Sequence, residues 1–199
     1  MTHHPKLASL LAATLIGICG SKAVAAQPVV TAGAKACSIA GWSNDPDPAG
    51  LNVRAAPSTT AKIIGRIPPS QAQAGDTYGA EFDIVGSRDG WFLIRNARFS
   101  DYGGGKGDRV VFRGPGWVFA DKVRFLINSA DLRSAPSPQA PVVARLRSPD
   151  GSSGPDSAII DHVYGCASDF AEVAAHMSNK PPTRGWATRI CSNQVTTCP

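Results

Sequence analysis

The chain is poor in the residues that fill helical cores, in charge and in histidine. Only 2 Met and 7% aromatic residues occur among 199, which argues against a large helical core. Charged residues make up 18%, with no long charged block and no low-complexity tract, so a mainly disordered chain is excluded. Beyond the N-terminus no apolar run approaches the ~18 residues of a membrane helix, which excludes a helical multi-spanning protein. Of the 4 histidines only His162 and His176 lie outside the first few residues, so a His-rich metal site is absent. No C-x-x-C or Cys/His pair stands at zinc-ligand spacing, and neither a metal nor a cofactor is expected. Gly103-Gly104-Gly105-Lys106-Gly107-Asp108 lacks the G-x4-G-K-[ST] order of a phosphate loop. Asp83, Asp89 and Asp161 are scattered and give no paired-carboxylate spacing for glycoside hydrolysis.

Turn formers are abundant. The 20 Gly and 16 Pro exceed the roughly 12% combined share of average chains, favouring turns and short strands over long helices. The first 26 residues read as a secretory signal peptide: Lys6 supplies the positive region, Leu7 to Ile18 the apolar run, and Ala23-Val24-Ala25 or Val24-Ala25-Ala26 the small residues for cleavage. The expected mature start is Ala26 or Gln27, and the expected location is periplasmic or secreted, with no stable membrane span in the mature chain. Cys19 follows Ile18, where a lipoprotein signal wants a small residue. Cleavage removes Lys6 and Lys22, lowering the formal charge of +5 by 2. The remaining excess is small and scattered, so nucleic acid is not an expected partner.

Four cysteines then remain, Cys37, Cys166, Cys191 and Cys198. An even count in an exported chain points to two disulfides, with three possible connectivities. In one of them Cys191–Cys198 closes a short loop and Cys37–Cys166 ties distant segments together.

The chain also repeats itself. Asn52-Val53-Arg54-Ala55-Ala56-Pro57-Ser58 aligns with Asp131-Leu132-Arg133-Ser134-Ala135-Pro136-Ser137 at an offset of 79. The offset holds for Ile63-Ile64 with Val142-Val143, Arg66-Ile67 with Arg145-Leu146, and Trp91 with Phe170. Gly116-Trp117 then matches Gly185-Trp186 at an offset of 69, so the first copy carries about ten extra residues between Asn96 and Arg113. Two copies of one small fold are expected, over 37–125 and 126–199. Phe82 to Val85, Trp91 to Arg95, Val110 to Phe112 and Trp117 to Phe119 are β-branched or aromatic runs between Gly, Pro and Asp breakers, the signature of strands and hairpins. Leu51 and Val53 alternate, Pro57 ends their strand, and Ile63-Ile64 open the next apolar one. Ala167 to Met177 has helical composition, but its alignment with the Trp91 strand predicts a strand. An undivided core, or a helical half after Phe125, would contradict this duplication.

Gly50-Leu51-Asn52-Val53-Arg54-Ala55-Ala56-Pro57-Ser58, Asp89-Gly90-Trp91-Phe92-Leu93-Ile94-Arg95 and Gly116-Trp117-Val118-Phe119-Ala120 resemble the opening, middle strand and closing element of bacterial SH3 (SH3b) domains. The second copy keeps Leu132-Arg133-Ser134-Ala135-Pro136 and Gly185-Trp186-Ala187, with Asp169-Phe170-Ala171-Glu172-Val173 in the middle, and is divergent. The resemblance implies an all-β fold, two small SH3-like β-barrels in tandem. It further implies a non-catalytic exported binding module whose ligand is a peptidoglycan peptide or an envelope protein. SH3-like ligands lie in grooves lined by aromatic rings, which nominates Trp42, Tyr78, Trp91, Tyr102 and Trp117. Trp91 and Trp117 belong to the fold signature and are expected to pack; Tyr78, in a Gly-rich stretch, is expected at the surface. Asp45 and Asp47 form an acidic loop beside Trp42, and the Asn96–Arg113 insertion is a second candidate contact. Two rival readings remain: a structural or inhibitor protein acting through that insertion, and a small Cys-dependent hydrolase pairing Cys166 with His162 or His176. A thiol with three disulfide partners in an oxidising compartment weighs against the last.

Overall fold

Strand-forming runs between turn residues give a molecule made almost wholly of strands. In the computed structural model, which describes Met1, residues 32–196 and Cys198, no α-helix occurs among the described residues. The expected signal peptide and its cleavage positions lie outside the described residues. The chain passes through β1 (Lys35–Ser43), β2 (Leu51–Arg54), β3 (Ile63–Ile67), β4 (Gln71–Gln73), β5 (Asp76–Tyr78), β6 (Glu81–Arg88), β7 (Trp91–Phe99), β8 (Arg109–Phe112) and β9 (Gly116–Phe119). There follow β10 (Val123–Arg124), β11 (Leu126–Ile127), β12 (Asp131–Arg133), β13 (Val142–Arg145), β14 (Ile159–Ala167), β15 (Phe170–His176), β16 (Thr183–Ala187) and β17 (Ile190–Cys191). The segment with helical composition is thus β15, paired on both sides.

The first sheet runs β10-β1-β6-β7-β9-β2-β3, with β8 on β7; the second runs β13-β12-β16-β15-β14. The pairs β4–β5 and β11–β17 stand apart. Read from β3, the first sheet contains the order β3-β2-β9-β7-β6, and the second has the same order in β13-β12-β16-β15-β14. Local bonds repeat as well. The Arg54 guanidinium donates to the Ala61 carbonyl at 2.8 Å, and Arg133 donates to Ala140 at 2.8 Å. Arg54 faces Trp117 across the β2–β9 pair, as Arg133 faces Trp186 across β12–β16. In the turn after each arginine, Ser58 N–H donates to Ala56 and Ser137 N–H to Ala135, both at 2.8 Å. The arginine therefore does a local job in each copy: it ties its strand to the far arm of the Ala-Pro-Ser turn.

Two turns show why the sequence folds this way. Asp89 and Gly90 both have positive φ (49° and 78°), and Arg88 pairs with Trp91; this two-residue turn has the left-handed pair that favours Asp-Gly. Gly50 has φ of 85°, and a Cβ there would stand 2.2 Å from the Ile67 carbonyl oxygen, so only glycine fits ahead of β2.

The core is not duplicated as the strand order is. One continuous buried cluster runs from Ile39, Leu51 and Val53 through Phe82, Ile94 and Val123 to Leu132, Val163, Val173 and Ala187. This undivided interior contradicts the expectation of two separately cored barrels; what repeats is the strand order, not the core. Burial per residue rises with size, and here the two sheets share one interior. β1 makes the join. It pairs with β6, while Ser38 N–H donates to Ser168 at 2.7 Å and Ser168 N–H to Ala36 at 2.8 Å. The disulfide Cys37–Cys166, spanning 129 residues, locks that contact, and Cys191–Cys198 closes the C-terminal loop. Ile63 and Ile64 depart from the expectation of an apolar core strand. They are 43% and 44% exposed, as are Val142 and Val143 at 41% and 44%. β3 and β13 each end a sheet, so only Ile67 and Leu146, further on, reach the core.

Candidate functional site

The five nominated aromatic residues do not line one groove. Trp91 and Trp117 pack with Leu93 in a small buried cluster, Trp117 being 2% exposed; Trp91 also meets Phe119 edge-on at 5.5 Å. Tyr78, expected at the surface, is 7% exposed. Its ring lies 4.6 Å from that of Tyr102, because the insertion folds back and covers it. Trp42 is half-buried in β1 opposite Glu81.

Trp42, Tyr78 and Tyr102 therefore gather around Glu81, a carboxylate only 6% exposed. The Tyr102 hydroxyl donates a short hydrogen bond to Glu81 Oε1. Gln194 Nε2 donates to the same oxygen at 3.3 Å and Ser192 Oγ to Oε2 at 3.4 Å. Gln194 also exchanges bonds with the Gly79 backbone at 2.9 and 3.0 Å. Burial, then the bond to Glu81, pushes the Tyr102 phenol up to about 12. The cluster is a tie: it fastens the insertion and the C-terminal loop to the first sheet.

The insertion encloses a cleft of about 470 Å³ lined by Gln71, Phe99, Asp101, Lys106 and Arg109 among others. Its glycine run resembles an anion cradle, but the anion is internal. The Asp101 carboxylate accepts N–H bonds from Gly104 at 2.7 Å, Lys106, and Gly107 at 2.8 Å, and the Gly104 and Gly107 bonds hold its pKa below the usual value. The nest of amides is filled by its own side chain. Arg98 pairs with Asp108 at 3.0 Å, and Arg109 donates to Gln71 at 2.7 Å while lying over Phe99 at 4.9 Å. In the acidic loop, Asp45 pairs with Lys122 at 3.3 Å and Asp47 accepts the Ala49 N–H at 2.8 Å, so both carboxylates serve the loop itself.

A third place lies between the two sheets. A cleft of about 340 Å³ is lined by Lys35, Ser87, Arg88, Tyr164, Glu172, Arg184 and Trp186, with Gly165 and Cys166 at its floor. Lys35 Nζ stands 5.4 Å from the Trp186 ring, and the Arg184 guanidinium stacks 3.9 Å over Tyr164. Arg184 also donates to Glu172 Oε1 at 2.9 Å through both Nε and Nη2. Sequence reasoning nominated none of these residues for ligand binding; Cys166, Glu172 and Trp186 entered it only as a cysteine and as motif residues. One signal was there: Gly185-Trp186 repeats Gly116-Trp117. What was not there is that Lys35, from the N-terminal strand, closes over that second tryptophan.

The comparisons with known proteins add no relative. Neither the family models, nor the curated proteins, nor the solved structures yield a match to this chain. The site rests on its own geometry.

Among the described residues no group of three or more His, Cys, Asp or Glu side chains is placed to hold a metal ion. His162 Nδ1 lies 2.7 Å from Asp121 Oδ1, a contact between the two halves. Cys166, 1% exposed, has its sulfur in the disulfide with Cys37. In this oxidised state it carries no thiol to act as a nucleophile.

Proposed function

We propose that the chain is an exported, non-catalytic binding protein built from two SH3b-like copies, the second divergent, and that its ligand is a peptide-bearing component of the cell envelope. The observation that carries this reading is the strand order β3-β2-β9-β7-β6, repeated as β13-β12-β16-β15-β14 with the same arginine bond in each copy. The repeated strand order supports the duplication that the SH3b motifs imply, while the shared interior counts against two independent barrels. Two disulfides support an oxidising, extracytoplasmic destination, and no helix among the described residues is long and apolar enough to cross a membrane. Aromatic and cationic side chains meet between the sheets, where Lys35 and Arg184 lie over Trp186 and Tyr164 and line a cleft sized for a small ligand.

The test is retention of the disulfide-intact protein on purified peptidoglycan sacculi and on immobilised envelope extract. Saturable retention on either, lost on heat denaturation, is the expected outcome. Passage through both without delay overturns the reading.

A further inference from the structure

Among the described residues four polar or charged residues are buried: Ser43, Glu81, Ser87 and Ser129. Three are satisfied. Ser43 Oγ accepts the Ala80 N–H at 3.0 Å, Glu81 holds Tyr102, Gln194 and Ser192, and Ser129 Oγ accepts the Thr188 N–H at 3.1 Å. Ser87, 5% exposed, has no side-chain hydrogen bond to any described residue, and it lines the cleft between the sheets. A buried hydroxyl without a partner is unusual and calls for a specific explanation.

Its surroundings supply one. Ser87 is the cross-strand partner of Lys35, so the two side chains share a face of the sheet. Lys35 has no ion-pair partner among the described residues, whereas Arg88 is paired with Asp89 at 3.2 Å and Arg184 with Glu172. Three cations therefore face two carboxylates, and Lys35 is the one left uncompensated. Arg184 spends two of its five donors on Glu172. Gly165 packs directly against that hydroxyl, since a Cβ there would stand 2.6 Å from Ser87 Oγ, so a larger residue at 165 would displace it. Trp186, 8% exposed, lies under Lys35, and the partly exposed Tyr164 ring, with Arg184 stacked on it, borders the cleft. The volume, about 340 Å³, falls at the small end of organic-ligand sites, ~300–1,000 Å³, and exceeds what a bare ion fills.

We propose that this cleft binds a side-chain or terminal carboxylate of an acidic peptide, with Lys35 compensating its charge, the Ser87 hydroxyl and the remaining donors of Arg184 reaching its oxygens, and the exposed part of Tyr164 bordering its apolar portion. The inference rests on the binding-protein reading and assigns its ligand chemistry.

The probe is tri-L-glutamate, titrated into ¹⁵N-labelled, disulfide-intact protein, with C-terminally amidated tri-L-glutamine and sulfate as separate arms. Saturable shifts at the Ser87 and Gly165 amides and the Trp186 indole N–H are expected with tri-glutamate, and none with tri-glutamine. Lys35→Gln weakens binding about tenfold and Ser87→Ala about threefold, as loss of one charge-assisted bond requires. Because its hydroxyl satisfies nothing inside the fold, Ser87→Ala keeps or raises the thermal midpoint; a lower midpoint would give the hydroxyl a structural role and overturn the assignment. Equal affinity for tri-glutamine, sulfate binding as tight as the peptide, or absence of saturable shifts at the cleft each overturn it too. A silent cleft with sacculus retention intact sinks this inference alone. A cleft that binds tri-glutamate in a protein retained by neither sacculi nor extract sinks the envelope reading and leaves the cleft.

Discussion

Tyr102 illustrates how position converts a residue's chemistry. In the sequence it is one aromatic in a glycine-rich insertion; folded, it is a donor to a buried carboxylate. Its pKa of about 12 stands above the ordinary 10.0, so the fold favours the neutral phenol. The resulting stability is fully present below about pH 10 and is lost as pH rises through 12. Denaturant unfolding should show stability falling over that window, and Tyr102→Phe should flatten the fall while lowering stability at neutral pH. Gly50 makes the complementary point about backbone. With φ of 85° and the Ile67 carbonyl 2.2 Å from any Cβ, Gly50→Ala is expected to cost about 2 kcal/mol or more, read from the same unfolding curves. At the adjacent positions Leu51 and Val53 are buried, 3% and 0% exposed, so the motif's alternation marks the core as the sequence suggests.

At the level of elements, strands whose neighbours follow closely in the chain were the easiest to anticipate. The β6–β7 hairpin turns on Asp89-Gly90, and its register follows from that turn. β15 was reached through the repeat, since its composition alone suggests a helix. Ile63-Ile64 and Val142-Val143 mislead in the same way in both copies: β-branched residues are taken for core, but β3 and β13 are edge strands with one neighbour each. Nothing in a local pattern distinguishes an edge from a centre. The insertion was recognised as an addition, yet its order comes from Asp101, whose carboxylate gathers the N–H groups of Gly104 and Gly107. That carboxylate titrates below its ordinary 3.8. The cradle contributes its full stability above that ordinary value and loses it as pH falls through the lowered one. The Gly104 amide shift should therefore titrate with a midpoint under 3.8, and Asp101→Ala should abolish the transition and speed amide exchange at Gly104 and Gly107.

For the whole molecule the decisive joint is β1 against the β14–β15 turn, held by Cys37–Cys166. Cross-linking a loop of 129 residues restricts the unfolded chain, and removing such a bond typically costs about 2–5 kcal/mol. The double variant Cys37→Ser, Cys166→Ser should lose stability in that range, measured in denaturant. It should also expose the interior that the two sheets share, seen as binding of an apolar dye before global unfolding. Non-reducing peptide mapping of the wild type should recover the 37–166 and 191–198 pairs and no free thiol in the chain beyond Cys19. A free Cys166 in native protein would reopen the hydrolase reading. The inter-sheet cleft belongs to this scale as well, since Lys35 and Ser87 come from one side of the joint and Trp186 and Arg184 from the other.

Strand content, the Asp-Gly hairpin, the internal repeat and an even set of cysteines beyond the N-terminal segment were readable in the order of residues, because turn preference, two-residue alternation and composition act over a few neighbours. Which of three cysteine pairings forms, which aliphatic pairs stay wet, and which tryptophan meets a lysine were settled by packing. Those outcomes depend on bringing residues 35, 87 and 186 to one place, and no local preference encodes a distance of that kind. The two sheets share one interior, and the cleft lies at the seam between them, which no residue pattern along the chain specifies.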